Sequence, residues 1–170
     1  MSNTNPSRLE VGQIIPAFTL PGADGMPHSP WDYKQREHLL LLLIRGSTTS
    51  ETRGLLRAFA RQYASFREEE CAILAISLDT VIVNLGTQEE LHLPFALLAD
   101  PKGEVIGRFV EYTEEGRQTG TGQDSSVVSI VLADRYGALY QQWVAEREAD
   151  LPGIEELLET LRYLNKLCTP

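Results

Sequence analysis

Leu39 to Ile44 are six consecutive apolar residues, bounded by His38 and Arg45. A bilayer crossing needs about 20 apolar residues, so this run is far too short to span one, yet it suits a strand buried on both faces. Leucine is not a favoured strand residue, and periodicity alone does not separate a buried strand from a piece of buried helix. The text that follows supplies the context. A hydroxyl-rich stretch, Gly46-Ser-Thr-Thr-Ser-Glu-Thr52, leads into Leu55, Leu56, Phe59, Ala60, Tyr63 and Phe66 at three- and four-residue steps, with Arg53, Arg57 and Arg61 on another face. Cys71 to Ser77 is a second apolar run of strand length. Strand, helix and strand at this spacing make a parallel pair joined by a right-handed crossover.

Outward from this unit, residues 1–8 are polar and read as a flexible tail. Residues 9–32 mix short apolar pieces with Pro16, Pro21-Gly22, Asp24-Gly25 and Pro27, which reads as an N-terminal apron of one or two short strands, with Trp31 and Tyr33 packed beneath it. A weakly patterned helix is expected around Leu85 to Leu91, and a brief strand over Phe95 to Leu98. Asp100-Pro101 is expected to open the next helix, with Asp as cap and Pro at the first turn. Residues 112–126 carry three glycines and no apolar side chain after Tyr112, so they read as a long loop, either functional or simply mobile. Val127 to Leu132 and Ala138 to Val144 flank a turn and read as an antiparallel hairpin, and Pro152 to Leu167 places Ile154, Leu157, Leu158, Leu161 and Leu164 on one helical stripe. The expected fold is α/β: one domain over 9–170, with a mixed central sheet, helices on both faces and an N-terminal strand extension.

Composition narrows the function classes. The net charge of -9 repels phosphate backbones and anionic lipid surfaces, which argues against nucleic acid and membrane partners. The first residues lack the basic head and apolar middle of a secretory signal, so a cytoplasmic location is expected. Cys71 and Cys168 stand far apart, and His28, His38 and His92 form no metal-ligand spacing, so neither a metal nor another cofactor is expected. Gly116, Gly120 and Gly122 lack the Lys-Ser or Lys-Thr of a phosphate-cradling loop.

Val11-Gly12, Pro16-Ala-Phe-Thr-Leu20, Arg45-Gly46, Leu93-Pro-Phe-Ala-Leu-Leu-Ala-Asp-Pro-Lys-Gly103 and Leu161-Arg-Tyr-Leu-Asn-Lys-Leu-Cys-Thr-Pro170 occur in that order. Together they make the chain resemble the alkyl hydroperoxide reductase and thiol-specific antioxidant (AhpC/TSA) family, peroxiredoxin-like proteins of the thioredoxin superfamily, over roughly Leu9 to Pro170. The resemblance implies a thioredoxin-like fold and thiol-dependent peroxide chemistry. It also implies a departure, because the family's two cysteine positions fall on Thr49 and Thr52, and its usual proline or arginine before the late strand falls on Val128. A threonine hydroxyl stays protonated near neutrality and has no reversible oxidation ladder. It becomes a nucleophile only beside a base, and His38, six strand residues upstream, stands roughly 20 Å away at about 3.3 Å per residue.

Two readings of the turn stay open. In the first, Thr48 and Glu51 form a capping box and the hydroxyls satisfy the helix start. In the second, Arg45, Ser47, Thr48, Thr49, Ser50 and Arg53 make a small anion site at the helix N-terminus, although Glu51 opposes it. Cys71 reads as a buried small hydrophobe, and Cys168 as a thiol without an electropositive pocket. The expectation is a degenerate redox site on a binding or regulatory module with a small anion or a protein as partner, compatible with a homodimer. The alternative is an antioxidant peroxide or disulfide oxidoreductase that works through Cys168 or Cys71.

Overall fold

A computed structural model describes residues 7–111 and 128–167. Its centre is β3 (His38–Ile44), every residue of which is buried. β3 pairs in parallel with β4 (Cys71–Ser77), from His38 opposite Cys71 to Ile44 opposite Ser77, and antiparallel with β6 (Val128–Ala133). Outside them lie β5 (Ala96–Ala99), parallel to β4, and β7 (Leu139–Ala145), antiparallel to β6, so the order is β5-β4-β3-β6-β7. This is the mixed sheet the sequence implies.

Alternation along β3 feeds two cores. Leu39, Leu41 and Leu43 face Phe18, Val131 and α4 (Ile106–Phe109), while Leu40, Leu42 and Ile44 face the other side. There α1 (Ser50–Arg61), α2 (Tyr63–Glu68) and α5 (Ile154–Leu167) contribute Leu56, Phe59, Phe66, Leu158 and Leu161, all 1% exposed or less. A strand apolar on every residue is explained by these two covered faces. α3 (Val81–Leu91), capped by Thr80, packs against β5 and places Asn84 and Thr87 inward.

The N-terminal extension is a small hairpin, β1 (Leu20–Pro21) with β2 (Pro27–His28), fastened to the sheet by a bridge from Gly22 to Leu98 and by Ala23 N–H donating to Leu97 O. Gly22 is required sterically: a Cβ there would lie 2.5 Å from Asp24 Oδ1 and 3.0 Å from Met26 O.

Several expectations are corrected. The single helical pattern after β3 is two helices, broken at Gln62, whose dihedrals of -102° and 11° leave the helical region. Asp100 is not the N-cap, which is Val105; its Oδ2 accepts from Val105 and Ile106 N–H at 3.0 and 2.9 Å, so the helix it serves starts later than Pro101. Trp31 is 59% exposed, with the Lys34 ammonium 4.3 Å above its ring, because it sits on a one-turn 3-10 segment at the surface; Tyr33 alone packs inward. Ser7 and Arg8, assigned to the tail, are held by a bridge to Val110 and by Arg8 N–H donating to Phe109 O. The loop over 112–126 and Cys168 lie outside the described residues.

Candidate functional site

The strand-to-helix turn lies beyond the end of β3, at the edge shared with the end of β4. Thr49, not Thr48, is the N-cap: its extended backbone lets Oγ1 accept from Thr52 N–H at 3.3 Å, and Thr52 rather than Glu51 occupies the third helical position. The capping box expected from Thr48 and Glu51 does not form: the N-cap lies one residue later, and only its own half of such an exchange is present. Ser29 and Asp32 form such a box instead, in the apron.

Thr49 Oγ1 donates to Thr52 Oγ1 at 2.9 Å, and Thr52 Oγ1 donates to Glu148 Oε1 at 3.2 Å. The two threonines are thus backed by a carboxylate that arrives from 96 residues along the chain, on a 3-10 turn, Glu148–Asp150, after β7. Thr52 is 1% exposed while Thr49 faces solvent. Such a chain holds hydroxyl hydrogens in order and can polarise Thr49. For a thiol at either position the nearby carboxylate would oppose ionisation, since a like charge disfavours the anionic form.

Behind the turn stands a buried polar belt. Asp79 Oδ2 accepts from Ser47 N–H at 2.6 Å and from Ser47 Oγ at 3.0 Å; Ser47 Oγ also lies 3.0 Å from Thr87 Oγ1, and Ser77 Oγ donates to Asn84 Oδ1 at 2.7 Å. Asp79, Thr87 and Glu148 carried no periodic or motif signal linking them to the turn. Only Asp79, directly before the Thr80 cap of α3, stands at a position where sequence marks a helix start.

The six residues of the expected anion site are brought to one end of the sheet, but the side chains of Arg45, Ser47, Thr49, Ser50 and Arg53 have partners within the protein. Arg45 donates to Glu146 O, Ser47 is held by Asp79, Ser50 Oγ donates to Glu51, and Arg53 pairs with Glu90 at 2.7 Å. Thr48 is exposed beside them. Val128 opens β6 at the same end, fully buried, opposite Ala145.

The thiol among the described residues is elsewhere. Cys71 aligns with His38 at the opening of β3 and β4, six residues before Ser77 and so about 20 Å from the turn. It is fully buried, and that burial, with the charge of Glu37 beyond it, pushes its thiol well above the usual cysteine range. His38 is also at that end, with Nε2 2.8 Å from Asn165 Oδ1. No group of three or more metal-ligating side chains occurs among the described residues, and no described helix is long and apolar enough to cross a membrane.

The AhpC/TSA family model matches residues 11–149. The chain belongs to the AhpC/TSA family. Among curated proteins it is 31% identical over 143 residues to a putative peroxiredoxin of Mycobacterium tuberculosis, covering 80% of this chain and 85% of that one. It is 25% identical to peroxiredoxin Bcp of Bacillus subtilis over 93% of this chain and 98% of the relative. Similarity to peroxiredoxin bcp1 of Schizosaccharomyces pombe, at 28% identity, spans about half of that protein's length, 51%. Among solved structures this AhpC/TSA protein resembles peroxidoxin BcpB of Mycobacterium tuberculosis (TM-score 0.76, 18% identity, 92% of this chain and 98% of that one). It also resembles a cysteine-to-serine mutant of PrxQ from Xylella fastidiosa (TM-score 0.78, 18% identity, 92% and 98%). Those likenesses establish the thioredoxin-like, peroxiredoxin-type fold.

Proposed function

We propose that this peroxiredoxin-like protein has lost thiol chemistry at the mouth of the first crossover and acts as a binding or regulatory module. The observation that carries the reading is the Thr49, Thr52 and Glu148 chain: oxygen stands at both positions where the family resemblance places sulfur, and a carboxylate backs them. A peroxidase thiolate needs an electropositive surround, and here Arg45 and Arg53 are engaged by Glu146 O and Glu90. Internal commitment of the turn's donors favours a protein over a small anion as the partner. An edge strand, β7, offers a place for a second copy to pair, and a cytoplasmic setting fits the acidic charge.

The relatives' names support a second reading, thiol-dependent peroxide reduction, for which Cys168 is the candidate because Cys71 is enclosed. One experiment separates the two. Peroxide consumption is measured with a dithiol reductant for the native protein, Cys71→Ser and Cys168→Ser. No turnover above the reductant blank supports the binding module, whereas turnover that disappears with either substitution establishes the peroxidase.

A further inference from the structure

A second concavity lies toward the opposite end of the sheet from the threonine turn. β4 begins at Cys71, but β5 joins it only from Leu74, opposite Ala96, so Ala72 and Ile73 have no β5 partner. Pro94 precedes β5 and has no N–H to extend the ladder. The chain leaves a cavity of about 370 Å³ there, floored by Ala72 and Ile73 and walled by the apron on one side and α2 on the other. That volume is within the range of small-ligand sites, about 300 to 1,000 Å³.

Its walls combine aromatic rings with carboxylates. Tyr63 and Phe95 stand with ring centroids 6.1 Å apart, and Tyr33 lines the apron side. Asp24 and Glu37 bring negative charge. The basic groups present are already matched: Arg67 donates to both Glu37 oxygens at 2.9 and 2.6 Å, and His28 Nε2 lies 2.8 Å from Asp24 Oδ2. The lining thus holds two carboxylates, of Asp24 and Glu37, against the one permanent cation of Arg67 and the His28 ring. An anion entering would meet two carboxylates and no unmatched cation. A protonated amine would meet carboxylate oxygens, phenol oxygens and ring faces, the combination that attracts ammonium groups.

We propose that this cavity binds a protonated aliphatic amine, either a free alkylamine or a lysine side chain of another polypeptide, between the Tyr33, Tyr63 and Phe95 rings and the Asp24 and Glu37 carboxylates. The field inside agrees with this assignment. Burial, and then the negative charges of Asp32 and Glu37, with smaller contributions from Tyr63 and Asp24, push the Tyr33 phenol up to about 12. Tyr33 therefore stays neutral and available as a hydrogen-bond partner throughout the physiological range. The site is independent of the redox reading, since none of its residues belongs to the threonine turn.

The test is a heteronuclear NMR titration of the full chain with n-butylamine and with N-acetyl-lysine methylamide, each against its neutral counterpart, n-butanol and N-acetyl-norleucine methylamide. The expected result is saturable shifts at the Tyr33, Tyr63 and Phe95 rings and the Ala72 and Ile73 amides with an amine, and none with the neutral molecules. Response to both amines assigns a general amine site, and response to the lysine derivative alone assigns a polypeptide source. Asp24→Asn keeps the turn's acceptor while removing charge, and Tyr63→Leu removes a ring; each should weaken binding about tenfold. Circular dichroism checks folding, and if one variant is unfolded the other decides. Shifts scattered over the acidic surface and unchanged by the folded variants, equal binding of a neutral counterpart, or no saturable shift with either amine would overturn the proposal.

Discussion

Thr52 has almost no exposed surface, yet its hydroxyl is partnered on both sides, accepting from Thr49 and donating to Glu148. Placing sulfur there tests more than the missing atoms. The pair Thr49→Cys and Thr52→Cys is expected to alkylate slowly at neutral pH, and adding Glu148→Gln to speed it, because removing the carboxylate lowers the cost of a thiolate. Rates with iodoacetamide, read by mass spectrometry, check this; equal rates in both backgrounds would show that Glu148 does not act on the site. Asp79→Ala strips two donors of Ser47 of their acceptor in a buried setting and should cost about 1 to 3 kcal/mol in a denaturant titration. Glu37 has its carboxyl held below the usual carboxylate range, first by the hydrogen bonds from Arg67. Its stabilising contribution is therefore complete above the unfolded value of about 4.3 and is lost as pH falls through the lower folded value. Both side chains are partly exposed, so the effect is small. Arg67→Gln should flatten the fall of unfolding midpoint between neutral and acid pH, and an unchanged slope would remove the pair from the account.

At the scale of elements, the apron depends on one close approach. Gly22→Ala puts a methyl group against Asp24 and the Met26 carbonyl. Hydrogen exchange at Ala23, whose N–H donates to Leu97 O, should quicken while exchange in β3 stays slow. The second core face depends on α1 instead. Phe59, 1% exposed and with its ring centroid 5.6 Å from that of Phe66, should cost about 3 to 5 kcal/mol when truncated to alanine. Strand and helix identities were legible because burial imposes a pattern: continuous apolar runs in β3 and β4, and a stripe in α5. The split at Gln62 was not, since no Pro or Gly marks it and the apolar steps continue through it. The later start of α4 was hidden for a related reason: the hydrogen bonds of Asp100 skip the residues directly after Pro101. The capping register differed by one residue because Thr48, Thr49 and Ser50 all offer a suitable oxygen, and only backbone dihedrals choose among them.

For the whole molecule, the sequence alone determined the layered α/β architecture, the burial of β3 on both faces and the AhpC/TSA membership, since burial patterns and ordered local motifs are written along the chain. It also placed threonine at the turn, where the family resemblance calls for cysteine. Only the tertiary structure brought Glu148 to Thr52, Asp79 to Ser47 and the apron tyrosine opposite α2. The Asp79 and Glu148 contacts join residues 32 and 96 positions apart. Side chains so distant share no period or spacing, and it is the packing of the sheet's two ends that sets which of them meet.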